Sequence, residues 1–90
     1  MIRYTKFVKY HGEMVTLKRI SLNMARLLYK LGFDIYIVQD LTEFDRKDDL
    51  RLFFCANKNQ GIKDFDTVCK VYRCRNRRPA GKTLLYFILE

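Results

Sequence analysis

Ninety residues carrying 18 lysines and arginines against 10 aspartates and glutamates have a net charge of +8, and 49% of the residues are apolar. That length supports one modest core, hence a single domain over 1–90, and an apolar fraction that includes 7 Phe and 6 Tyr excludes a disordered chain. No apolar run approaches the roughly 18 to 20 residues that cross a bilayer, and the start MIRYTKFVKY lacks the apolar stretch of a signal peptide, so a cytoplasmic protein with no membrane partner is expected.

Arg3 to Tyr10 alternates, with Tyr4, Val8 and Tyr10 on one side and Arg3, Phe7 and Lys9 on the other, which predicts an amphipathic strand. His11-Gly12 stands where a two-residue hairpin turn needs positive φ, and Met14 to Lys18 is the return strand. Ile20 to Phe33 then reads as a helix between an N-capping Ser21 and a terminating Gly32. Met24, Leu27, Leu28 and Leu31 fall at i, i+3, i+4 and i+7 and are expected to face the core, with Asn23, Arg26 and Lys30 on the opposite side.

Asp34 to Gln39 and Leu50 to Ala56 are apolar on both faces and predict interior strands, joined by an acidic link, DLTEFDRKDD. Phe65, Val68, Cys69 and Tyr72 keep helical spacing after a capping Asp64, with Asp66, Lys70, Arg73 and Arg77 as the polar stripe and Asp66 placed to pair with Lys70. Thr67, Val68, Val71 and Tyr72 favour strand, but the spacing favours a helix over about 64–76. Pro79-Ala80-Gly81 breaks the chain before a last strand within Lys82 to Leu89.

The order ββαββαβ predicts an α+β domain of ferredoxin-like, split βαβ type, with two helices on one face of a mainly antiparallel sheet. Tyr36, Phe53 or Phe54, and Tyr86 or Phe87 are then left for the second face, to be covered by the N-terminal hairpin, a ligand, or a second copy in a homodimer.

Few residues suggest chemistry. Cys55, Cys69 and Cys74 form no C-x-x-C pair, and with His11 they make a poor zinc set, so reduced thiols and no metal are expected. Gly81-Lys82-Thr83 lacks the first glycine of a phosphate-binding loop, since position 76 is Asn76. Asp45-Arg46-Lys47, with Asp34 or Asp40, resembles the acid-x-lysine piece of metal-dependent nucleases but lies in a polar link. These patterns give no catalytic residue and no cofactor, and a non-enzymatic protein is expected.

The charge is unevenly spread. Residues 1–20 hold five basic and one acidic side chain, residues 63–82 seven and two, while residues 34–49 hold two basic and six acidic. Arg73, Arg75, Arg77, Arg78 and Lys82 are one cluster; Lys18, Arg19, Arg26 and Lys30 form a second at the main helix; Tyr4, Lys6 and Lys9 belong to an aromatic-interleaved third. Arginine forks match phosphate oxygens and aromatic rings stack on bases, so these residues are the expected contacts of a basic module that binds nucleic acid through its arginine-rich end. The βαββαβ order is similar in predicted topology to RNA-recognition domains, although Leu50 to Ala56 lacks their basic-glycine-aromatic pattern. The alternative is a protein-interaction module, such as a phage- or mobile-element-encoded inhibitor of a host nuclease or ribonucleoprotein effector, whose partner is itself a nucleic-acid-binding protein.

Overall fold

The computed structural model describes residues 5–77 and 84–90. Strands β1 (Thr5–Tyr10) and β2 (Glu13–Ile20) form the expected hairpin, and positive φ at both His11 (51°) and Gly12 (82°) is the backbone of a type I′ turn. Helix α1 (Leu22–Lys30) leads to β3 (Ile35–Val38), helix α2 (Leu41–Arg46), β4 (Phe54–Ala56), helix α3 (Phe65–Arg75) and β5 (Leu85–Leu89). The strands make one antiparallel sheet in the order β1-β2-β5-β3-β4. Since β5 runs opposite to both its neighbours, β2 and β3 are parallel with β5 between them, joined through α1; likewise β4 and β5 flank β3 and are joined through α3. The outcome is a small α+β domain with an antiparallel sheet and three helices, and the third helix and this strand order were not expected from the sequence.

Two cores lie on opposite faces of the sheet. On one, Ala25 and Tyr29 of α1 and Phe65, Val68, Cys69 and Tyr72 of α3 pack on Ile35, Ile37, Ala56, Leu84 and Tyr86. On the other, Phe44 of α2 and Leu50 and Phe53 beyond it cover Val8, Leu17, Tyr36, Val38, Leu85 and Phe87. The acidic link is therefore the missing cover. Asp40 caps α2 by accepting from the Glu43 N–H at 2.9 Å, and Phe44 is carried inward one turn later. The second sheet face, left for the N-terminal hairpin, a ligand or a second copy, is covered by residues 41–53 of the chain itself.

Two further expectations are corrected. Leu50 to Ala56 is a 3-10 turn (Leu50–Leu52) and a three-residue edge strand, because the Asp49 carboxylate accepts from the Arg51 N–H and winds the first half. Helix α1 is rotated from its aliphatic stripe: Ala25 and Tyr29 are buried, Leu28 half-buried, and Met24, Leu27 and Leu31 are 45%, 52% and 62% exposed. Small Ala25 lets the helix approach the sheet, and Tyr29 fills the gap to Phe65 while its hydroxyl donates to the Ile62 carbonyl.

The buried tyrosines make the fold sensitive to alkali. Burial holds the Tyr29, Tyr36 and Tyr86 phenols above their ordinary value of 10, Tyr86 at about 12. The unfolded chain releases these protons near pH 10 while the folded chain keeps them, so stability present below pH 10 is lost as pH rises toward 12. Phenolate absorbance is expected to appear for these three only as the helical circular dichroism disappears; full tyrosine titration near pH 10 in the folded protein would contradict their burial.

Candidate nucleic-acid interface

Helix α3 runs between two well-specified ends. Asp64 accepts from the Thr67 N–H (3.2 Å) and hydroxyl (3.0 Å), and at the far end the Asn76 and Arg77 N–H groups donate to the carbonyls of Tyr72 and Cys74. Asn76 Nδ2 adds a second bond to the Tyr72 carbonyl at 2.8 Å. Arg73 and Arg75 stand in the last turn, where cations complement the negative end of the helix dipole. Arg77 follows with φ 53°, the left-handed position at which a helix usually places glycine.

Helix α1 lies beside α3, and the Arg26 Nε sits 2.9 Å from Asp66 Oδ1 while another guanidinium nitrogen bonds Asn23. Asp66 therefore pairs across the helices rather than with Lys70, which is exposed. The bond to Asp66 raises the pKa of Arg26. Arg26 and Arg73 both act on Cys69 and Tyr86, which touch each other at 3.9 Å; burial nonetheless dominates and pushes the Cys69 thiol up. It is a packed thiol, not a poised nucleophile. Arg26 and Arg73 thus both lie near Cys69 and Tyr86, whereas Arg75, at about 100° per residue, stands roughly 180° round α3 from Asp66; Lys30, Lys70, Arg75 and Arg77 are exposed.

Clefts flank the C-terminal turn of α3. One of about 380 Å³ lies between Asn76, Tyr72, Gln39, Lys47 and Leu52; a smaller one of about 180 Å³ is bordered by Arg75, Val71 and Gln60.

The other expected contacts are dispersed. Lys6 is spent within the fold: its Nζ donates to the Phe44 and Asp45 carbonyls at 2.6 and 2.9 Å, lies 3.7 Å from Asp48 and sits over the Phe44 ring. It acts as a C-terminal cap on α2 rather than a phosphate ligand. Arg19 is half-buried on the α2 face and already engaged, while Lys18 and Lys9 project from the opposite face. Tyr4, Arg78 and Lys82, and with Lys82 the Gly81-Lys82-Thr83 motif, lie outside the described residues. Lys70, on the polar stripe visible in the sequence, is a further exposed cation of α3.

Of the nuclease-like acids, Asp40 caps α2 and Asp34 accepts from Asn57 Nδ2 at 2.7 Å. Among the described residues no three His, Cys, Asp or Glu side chains gather as metal ligands, and no helix is long and apolar enough to cross a membrane. The three cysteines are free thiols. What fold and surface define is a small α+β domain with an arginine-bearing helical layer. Comparison with family models, curated proteins and solved structures finds no match to the chain.

Proposed function

We propose that the chain is a non-catalytic binding module in which α1 and the C-terminal half of α3 present arginines to the phosphates of a nucleic-acid strand. The observation that carries this reading is Arg77. Dipole complementarity accounts for Arg73 and Arg75, but an arginine in the left-handed position costs about 1 to 2 kcal/mol that glycine would avoid. Strain of this kind gathers where a side chain is needed for binding. Arg75 and Arg77 are exposed, and no carboxylate pairs with either among the described residues.

Labelled single-stranded and duplex oligonucleotides titrated at several salt concentrations test the reading. The wild type is expected to bind with a steep salt dependence, and the double variant Arg75→Ala, Arg77→Gly to bind more weakly, with a log–log slope smaller by about one unit per lost phosphate contact. Glycine at position 77 relieves strain, so weakened binding cannot be ascribed to unfolding. Absence of wild-type binding at about 50 mM salt, where non-specific attachment is still strong, would refute the proposal. The exposed apolar side chains of α1 favour the second reading, a protein-interaction module such as an inhibitor of a host nuclease. In that case the arginines meet carboxylates and the salt dependence is shallow.

A further inference from the structure

The helical layer covers only part of its sheet face. Helix α1 packs on β5 and β3 and against α3. Over β1 and β2 on that side Phe7 and Met14 are 67% and 58% exposed, although Val8 and Leu17 on the reverse of the same strands are fully buried. The bare floor is set by the register: Thr5 opposite Lys18, Phe7 opposite Thr16, Lys9 opposite Met14. Its wall is the flank of α1. At roughly 100° per residue, Met24 and Leu31 stand about 140 to 160° round the helix from Arg26, which faces α3, so both look away from α3. Leu27 lies beside them, Phe33 beyond, and half-buried Leu28 at their foot.

The size of this step is that of a helix. Two strands span about 10 Å across a sheet, and packed helices lie about 8 to 10 Å apart, so one further helix fits beside α1 over β1 and β2. Its chemistry follows from the floor, where β1 and β2 carry Lys18 toward one end and Lys9 toward the other, with Glu90 at the inner edge beside Thr16, between the levels of the two lysines. A second copy of a chain of charge +8 would bring lysines toward lysines.

We infer that this step receives an amphipathic helix of a partner protein, its apolar face seated on Phe7, Met14, Met24 and Leu31 and its acidic side chains meeting Lys9 and Lys18. Those lysines lie four residues apart along the ribbon, about 13 Å, which a helix covers in roughly nine residues. The acids are therefore two to three turns apart. This inference is independent of the arginine surface.

The probe is a synthetic helical peptide of about 18 residues, with leucines at i, i+3, i+4 and i+7 and glutamates two to three turns apart, beside a counterpart with lysine for glutamate. Added to ¹⁵N-labelled protein, the glutamate peptide is expected to shift the amides of residues 5–9, 14–18 and 24–31, and the lysine peptide to shift them far less. Phe7→Ser and Leu31→Glu change exposed positions and should lower affinity roughly tenfold or more, while Lys9→Glu with Lys18→Glu should reverse the preference between the peptides. Arg75→Ala should change nothing here. No shifts, shifts centred elsewhere, or an unreversed preference would overturn the inference. So would a dimer abolished by Leu31→Glu, which assigns the step to a second copy, or preferential binding of anionic phospholipid vesicles lost in the same variants.

Discussion

Phe44→Ala is expected to cost about 3 to 5 kcal/mol, the range for emptying an aromatic site in a packed core. Phe44 is 2% exposed; its ring stacks on Phe87 at 4.2 Å with an interplanar angle of 3° and meets Phe53 edge-on at 6.1 Å. The consequence is larger than one cavity. Helix α2 has six residues, too few to persist alone, and it is held by the Asp40 cap, the bonds from Lys6 and the Phe44 anchor. Without the anchor, Tyr36, Val38, Leu85 and Phe87 lose their cover. Domains of this size are stable by about 5 to 15 kcal/mol, so the variant should sit near its unfolding transition. Urea titration of wild type and variant measures the difference. A loss below about 1 kcal/mol would mean that α2 is not the lid of the second core.

The hairpin, α3 and the last strand were written locally: positive φ at His11-Gly12, a capping Asp64 before a 3.6-residue apolar period, and an apolar run bounded by Pro79-Ala80-Gly81. Helix α2 was signalled too, by Asp40 and Glu43 spaced as a capping pair before Phe44, but the six acids of residues 34–49 masked it as a solvated link. The 3-10 turn at Leu50–Leu52 turns on one carboxylate, Asp49, whose bonds to Arg51 hold it down to about 2, below the usual carboxylate range. No hydrophobic period reports such a bond. Of the site, the arginines of α3 were visible as a run, whereas the Arg26–Asp66 pairing and the loss of Lys6 to α2 depend on contacts between residues about 40 positions apart.

The orientation of α1 is where periodicity and packing disagree, and Tyr29 decides between them. Tyr29→Ala is expected to cost about 3 to 5 kcal/mol, since it empties a site that is 1% exposed and leaves the Ile62 carbonyl without its donor. The ring also supports Phe65 at 5.2 Å, which in turn meets Tyr86 edge-on at 5.5 Å, so the loss spreads along the contact between helix and sheet. Tyr29→Phe keeps the packing, removes only the hydroxyl, and should cost about 1 kcal/mol. Leu27→Ala and Leu31→Ala, more than half exposed on the flank, should each cost about 0.5 kcal/mol or less. Denaturant titration of the four variants yields one ranking. If either leucine rivals Tyr29, α1 is turned with its aliphatic stripe inward, and the apolar wall beside β1 and β2 does not exist.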